Sequence, residues 1–253
     1  MYKNKYVFFL VITLILLVGI LILYNNFIQV EGFGGKSTAI IIEPRKHKAL
    51  SYVLENFLKN LPDNWDIVIM HGTQNEEYVE NILNTDLQSY KSRITKKNLY
   101  VDNLSISDYN NLLKSPSFYD NIPTETFLIF QTDSVICDEN KDLLDGFLKY
   151  DYVGAPWKDA VGNGGLSLRK KSKMLEIISK CPKDEGNEDI YFANPCIDSN
   201  KPSIEEAKKF SVEKLFNKDS FGVHKPWAYL DAKDLDAKKD SCKSLSRLID
   251  LNM

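Results

Sequence analysis

From Thr38 onward, short runs of consecutive apolar residues alternate with stretches in which apolar residues recur at helical spacing. "TAIIIEP" (38–44) reads as a buried strand, and Leu50, Val53, Leu54, Phe57 and Leu58 fall on one face of a helix. "WDIVIMHG" (65–72) predicts a second strand, with a helix near Glu76 to Leu83 behind it. "NLYVDN" (98–103) predicts a third, and Ser107 is the expected cap of a helix carrying Tyr109, Leu112 and Leu113. "TFLIFQTD" (126–133) predicts a fourth. Strands separated by helices imply βαβ units, hence an α/β fold whose sheet is mostly parallel and covered on both faces.

Past this point the pattern shortens. "YDYVGAPW" (150–157) and "GGLSLR" (164–169) predict short strands around a glycine-rich turn, and "KSKMLEIISKC" (171–181) a helix. "NEDIYFANPC" and "IEEAKKF" predict short helices, "FGVHKPW" (221–227) a loop, and residues 231–253 a weakly patterned tail.

The N-terminus differs from all of this. Residues 6–24, "YVFFLVITLILLVGILILY", carry no charge and as a helix would reach about 28 Å, close to a bilayer core. Lys3 and Lys5 precede the run, and no basic residue follows it until Lys36. The run exceeds a signal peptide's apolar core and lacks a small-x-small cleavage site. The expected order is a cytoplasmic tail (1–5), a transmembrane signal anchor (6–24), a stem (25–37), and a domain (38–230) on the lumenal or extracytoplasmic side of a single-pass type II protein.

The chain's 253 residues, 43% hydrophobic, suffice for one substantial domain. A net charge of −3 argues against nucleic acid as a partner. The dense basic run, Arg169 to Lys173, reads first as a solvated helix face. No CxxC pair is present among the four cysteines, which argues against zinc; Cys181 and Cys196 could pair in an oxidising lumen or stay buried and free. Gly34-Gly35-Lys36-Ser37 lacks the earlier glycine and the preceding core strand of a phosphate-binding loop.

Ligands of such sheets bind beyond the carboxyl ends of the strands, and polar residues gather there: Glu43, Arg45, His71, Asp102 and Asp133. A carboxylate at the tip of a core strand is expensive to desolvate, so Asp133 either caps a turn or meets a cation.

"FLIFQTDSVI", "YDYVGAPW", "VGNGGLSLRKKSKMLE" and "NEDIYF" together resemble an uncharacterised domain family described as glycosyltransferase-like, over residues 38 to 230. The resemblance implies a single Rossmann-like sheet of the GT-A type and a nucleotide-sugar donor. It also implies Mn2+ or Mg2+ bound by an Asp-x-Asp after a core strand, where hard cations take carboxylate oxygens and keep positions open for phosphate. Here Gln131-Thr132-Asp133 keeps only the last acid. His224 is similar to a late histidine that completes the metal shell, with Lys225 on the diphosphate. Glu43, Arg45, Gln131, Thr132, Gly164 and Gly165 fall at donor positions; Trp157, Asn163 and Trp227 at sugar or acceptor positions. In an inverting transfer Asp189, or Glu188 beside it, would take the acceptor's proton. The function implied is a membrane-anchored glycosyltransferase acting on a glycan, protein or lipid hydroxyl. The alternative is a non-catalytic glycan- or partner-binding protein on the same fold, which the altered Gln131 favours; a nucleotidyltransferase is the third.

Overall fold

The computed structural model describes residues 36–253. The expected cytoplasmic tail, the anchor and most of the stem lie outside those residues. Among the described residues, no helix is long and apolar enough to cross a membrane.

β1 (Ser37–Ile42), α1 (Leu50–Asn60), β2 (Trp65–His71), α2 (Glu76–Asn84), β3 (Ile94–Asn98), α3 (Ile106–Leu113) and β4 (Thr126–Phe130) form the alternating half. β5 (Ser134–Ile136), β6 (Tyr152–Gly154), β7 (Leu166–Lys170), α4 (Lys171–Lys180), α5 (Glu188–Ala193), α6 (Ile204–Phe210), β8 (Ser211–Val212), β9 (Gly222–His224), α7 (Ala232–Ser241) and α8 (Ser244–Asn252) follow. The main sheet has the order β3-β2-β1-β4-β7-β6; β1 to β4 run parallel and β7 is antiparallel to both its neighbours. A small sheet has the order β5-β9-β8. A mixed, parallel-rich sheet flanked by helices agrees with the GT-A type expectation.

The central strands are apolar throughout because both faces are buried. Along β1, Ala39 and Ile41 join α1, α2 and α8 in one core, while Ile40 and Ile42 join α3, α4 and α5 in the other. That is the two-residue period of a strand expressed as two separate cores. Phe130 stacks on Phe57 of α1 at 3.8 Å between ring centroids, anchoring β4 where the polar 131–133 knot begins.

Several expectations shift. The third strand is "ITKKN", not "NLYVDN". β3 is an edge strand, half-exposed and lysine-bearing, so it shows no apolar run. The apolar Leu99–Val101 lies beyond it, where Tyr100 turns left-handed at φ 57° and ends pairing. Ser105, rather than Ser107, caps α3, in a reciprocal capping box with Asp108. "FGVHKPW" contains the central strand of the small sheet. The segment after Asp231 forms α7 and α8, whose Leu245 and Leu248 enter the core. Two disulfides form: Cys181–Cys196, one of the two outcomes the sequence leaves open for that pair, and Cys137–Cys242, which ties the α7–α8 junction to the end of β5.

Candidate functional site

A cavity of about 400 Å3 opens beyond the carboxyl ends of β1 and β4, where a parallel sheet places its ligands. Three walls build it: Ile42–Arg45 after β1, Gln131–Asp133 after β4, and Asn163–Gly165 facing the start of α5. The loop 103–106 and Tyr109 close the rim.

The floor comes from the small sheet. β5 runs antiparallel to β9 with Ser134 opposite His224, which puts Asp133 beside the end of β9. On the other side β8 runs parallel to β9 with Val212 opposite Val223, so the next residue, Glu213, arrives beside His224. The register therefore makes a row. His224 Nε2 lies 3.2 Å from Asp133 Oδ1, and Nδ1 lies 3.3 Å from Glu213 Oε1. Nε2 also faces Gln131 Oε1 at 3.3 Å, and Gln131 Nε2 donates to the Tyr109 hydroxyl.

The row is close but misaligned. Asp133 Oδ1, His224 Nδ1 and Glu213 Oε2 are buried without a hydrogen-bond partner. Burial alone would lower the imidazole's affinity for a proton, yet the flanking carboxylates outweigh it and push His224 up to about 9. Burial pulls the Asp133 carboxyl the other way, but His224 and then Lys225 hold it below its ordinary value.

The glycine run answers to this row. A Cβ on Gly165 would stand 2.1 Å from His224 Nε2, so backbone lies flat against the imidazole. A Cβ on Gly164 would stand 2.2 Å from Glu188 Oε1. The missing side chains make room for protein groups rather than for open space. Between them and the turn, Asn163 sits at φ 53°; its Oδ1 accepts from Gly165 N and its Nδ2 donates to Glu213 Oε1 at 2.7 Å. Its amide, expected on a sugar hydroxyl, is occupied within the protein.

Of the paired acids, Glu188 is committed. Arg169 is fully buried, grips both Glu188 oxygens at 2.7 and 3.0 Å, and lies over the rings of Tyr152 and Phe192. The basic run is thus not a uniformly solvated face: Arg169 and Lys170 end β7, and Arg169 points into the core. Asp189 is half-buried at the cavity wall, with Oδ1 accepting from Ile190 N. Glu43 is likewise held, accepting from Arg45 Nε and Nη2 at 2.8 Å each; Thr132 Oγ1 reaches it at 3.4 Å.

Three candidates stand off the cavity lining. Trp157 lies on Gly162 with Lys214 over its ring. Trp227 packs on the core edge. Lys225 is exposed at φ 46°, its backbone N–H bonded to Asp133 O. Glu213, Arg169 and Tyr109 had no sequence signal. A two-residue strand is too short to show a period, and Arg169 and Tyr109 fell inside patterns that read as a basic face and an apolar helix.

The cation implied by the resemblance can be tested against this floor. Among the described residues, no three His, Cys, Asp or Glu side chains converge as a metal site. Even so, Asp133 Oδ1 and the Gln131 amide oxygen stand 3.2 and 3.3 Å from His224 Nε2, close enough for each to share an ion with it. The orphaned Oδ1 fits the same role. The donor set fits, with most of the shell left for other ligands.

Residues 91–224, a little over half of the chain, match a family described as "Protein of unknown function (DUF5672)". The chain belongs to this family. The DUF5672 match runs from before β3 to His224 and so covers the whole row, the glycine run and α5, but not Glu43, Arg45 or the two C-terminal helices. No curated protein sequence matches. Among solved structures, the mannosyltransferase PcManGT from Pyrobaculum calidifontis, in complex with GDP-Man and Mn2+, is 14% identical with a TM-score of 0.46, covering 62% of this chain and 50% of its own. S. aureus TarS in complex with UDP-GlcNAc is 14% identical at 0.44, covering 62% and 52%. HddC from Yersinia pseudotuberculosis is 12% identical at 0.42, covering 65% and 88%. The chain thus spans about half the length of the first two.

Proposed function

We propose that the chain is a glycosyltransferase that takes a sugar from a nucleotide-sugar donor and passes it to a hydroxyl of a glycan, protein or lipid, with Mn2+ or Mg2+ assisting. One observation carries this reading: a buried, unpartnered carboxylate oxygen on Asp133, beside His224 Nε2, on the floor of a cavity at the carboxyl end of a parallel sheet.

The charges of the cavity support it. Glu43 is balanced by Arg45, and Glu188 by Arg169. In the row, two carboxylates flank one imidazole, and Asp189 adds a further negative charge. A diphosphate entering such a cavity alone would be repelled; with a divalent cation it is not. Asp133, His224 and the Gln131 amide would hold that ion, which when bound draws charge off the leaving diphosphate.

The chain's own residues do the rest. Lys225, turned outward by its left-handed backbone, adds a positive charge beside Asp133. The Arg169–Glu188 pair fixes the first turn of α5, so that Asp189 is presented to the cavity without Glu188 competing for a proton. Asp189 then takes the acceptor's proton as its oxygen attacks the anomeric carbon. Trp157 and Trp227, off the cavity itself, are assigned to the acceptor. The uncharged 6–24 run anchors the protein. The pairing of all four cysteines supports a domain in an oxidising, extracytoplasmic compartment.

The test is a melting-temperature screen of the full chain against nucleoside diphosphates with and without Mn2+, followed by donor turnover. Ligand stabilises by mass action, so millimolar ligand reveals weak binding. A shift larger with ion and nucleotide together than with either alone is expected in wild type and absent in Asp133→Ala. Asp189→Asn should keep the shift and lose on the order of 100-fold in transfer. No shift with any nucleotide overturns the donor reading. Binding without hydrolysis or transfer would leave the non-catalytic alternative, and pyrophosphate release would mark a nucleotidyltransferase.

A further inference from the structure

Glu213 has no role in the scheme above. It directly follows β8, is 3% exposed, and its Oε2 has no partner. A carboxylate in such a place is costly unless a compensating charge faces it. What the fold sets against it is the imidazole of His224, 3.3 Å from Oε1, and what holds that oxygen is the Asn163 amide at 2.7 Å.

We propose that Glu213 is a positioning residue for the cation site: it keeps a proton on Nδ1 of His224 and thereby turns the Nε2 lone pair toward Asp133 Oδ1 and Gln131 Oε1. The inference rests on the metal–diphosphate reading and deepens it. Three contacts restrict the ring. Gly165 backbone lies against its face, Glu213 takes one edge, and the opposite edge opens onto Asp133 and Gln131. The parallel register of β8 and β9 fixes Glu213 relative to His224. Asn163 fixes its side chain, and reaches it only from a left-handed backbone that few residues other than glycine adopt. Binding an ion at Nε2 requires that nitrogen to release its proton to solvent; the carboxylate behind Nδ1 keeps the other proton in place and makes the ring a better donor. A carboxylate behind a ligating histidine has this effect generally, and its loss weakens metal affinity about 10–100-fold.

The experiment titrates the full chain with Mn2+ alone and reads free Mn2+ by electron paramagnetic resonance, with the melting temperature of each variant recorded without metal. Glu213→Gln, which preserves shape, is expected to raise the Mn2+ dissociation constant about 10–100-fold at a melting temperature near wild type. Asn163→Gly keeps the left-handed backbone, frees Glu213, and is expected to give a smaller loss. With Mg2+ bound, imidazole 15N shifts should show His224 protonated at Nδ1. A merely structural Glu213 would change the melting temperature and leave Mn2+ affinity alone. Wild-type affinity in Glu213→Gln, or a Mg2+-loaded His224 protonated at Nε2, overturns the role of Glu213 while the cation site stands. Failure of the wild-type chain to bind Mn2+ overturns both together.

Discussion

Two buried clusters of charge border the same cavity and are built on opposite plans. Arg169 and Glu188 are matched in charge, geometry and hydrogen bonds: two parallel contacts, Ser167 Oγ on the remaining Arg169 Nε, and aromatic faces around the guanidinium. The Asp133–His224–Glu213 row is matched in none of these. It holds two acids for one base and three of the five side-chain atoms that are buried without a hydrogen-bond partner among the described residues. A fully satisfied buried network specifies a structure, while a partly satisfied one marks a place where something else binds or where strain is held. The proposed function rests on this contrast, with stability in the first cluster and ligand chemistry in the second.

The largest effect that would break this contrast is on stability. Arg169→Met leaves Glu188 buried and uncompensated, and removing one partner of such a pair costs about 3–5 kcal/mol. Arg169→Met with Glu188→Leu should recover most of that loss, since apolar replacements of a buried pair are often neutral. Denaturant unfolding of the two variants decides it. If the double variant is as unstable as the single one, the pair is not the matched unit described, and its part in presenting Asp189 needs another explanation.

The row, unlike the pair, should titrate. His224 is raised from 6.5 to about 9 in the folded chain by its flanking carboxylates. A base whose folded value is raised gives stability that is fully present below the unfolded value and lost as pH rises through the folded one. Wild type in a chelating buffer should therefore lose an advantage over His224→Gln on the order of 3 kcal/mol between about pH 6.5 and 9. Subtracting the variant removes the opposite trend from Lys238, whose amine burial lowers to about 8. A difference independent of pH would mean that the imidazole is neutral in the folded chain, leaving the two carboxylates of the row without a compensating charge between them.

Much of the scaffold is legible in the sequence alone. The core strands announce themselves because a strand buried on both faces can hold little besides Val, Ile, Leu and Phe, as in "TAIIIE" and "TFLIF". Asp133 was conspicuous for the opposite reason, a charge where the pattern demands none. What stayed hidden was set by pairing rather than by period. β3 is polar because it is an edge, and β8 and β9 span two and three residues, too few to alternate visibly. Since those two strands deliver Glu213 and His224, the row exists only in register, and the sequence points to His224 without its partner. Arg169 misled for a related reason. A basic run reads as solvated, yet strand alternation at Ser167-Leu168-Arg169 turns one member of it inward to meet Glu188.

The smallest effect tests where strain resides. Among the described residues, two of the three non-glycine residues with positive φ, Asn163 and Lys225, sit beside the row, and none belongs to the Arg169–Glu188 pair. A left-handed lysine costs of order 1–3 kcal/mol, which a glycine at the same φ avoids, less the chain entropy that glycine loses on folding. Lys225→Gly should therefore stabilise the protein by about 1 kcal/mol or less, measured by denaturant unfolding, while weakening nucleoside diphosphate binding by removing a positive charge beside Asp133. Those opposite signs are the informative outcome. A variant that is less stable and binds as before would show that Lys225 is held by its packing, and the turn after β9 would then belong with the structural cluster rather than with the site.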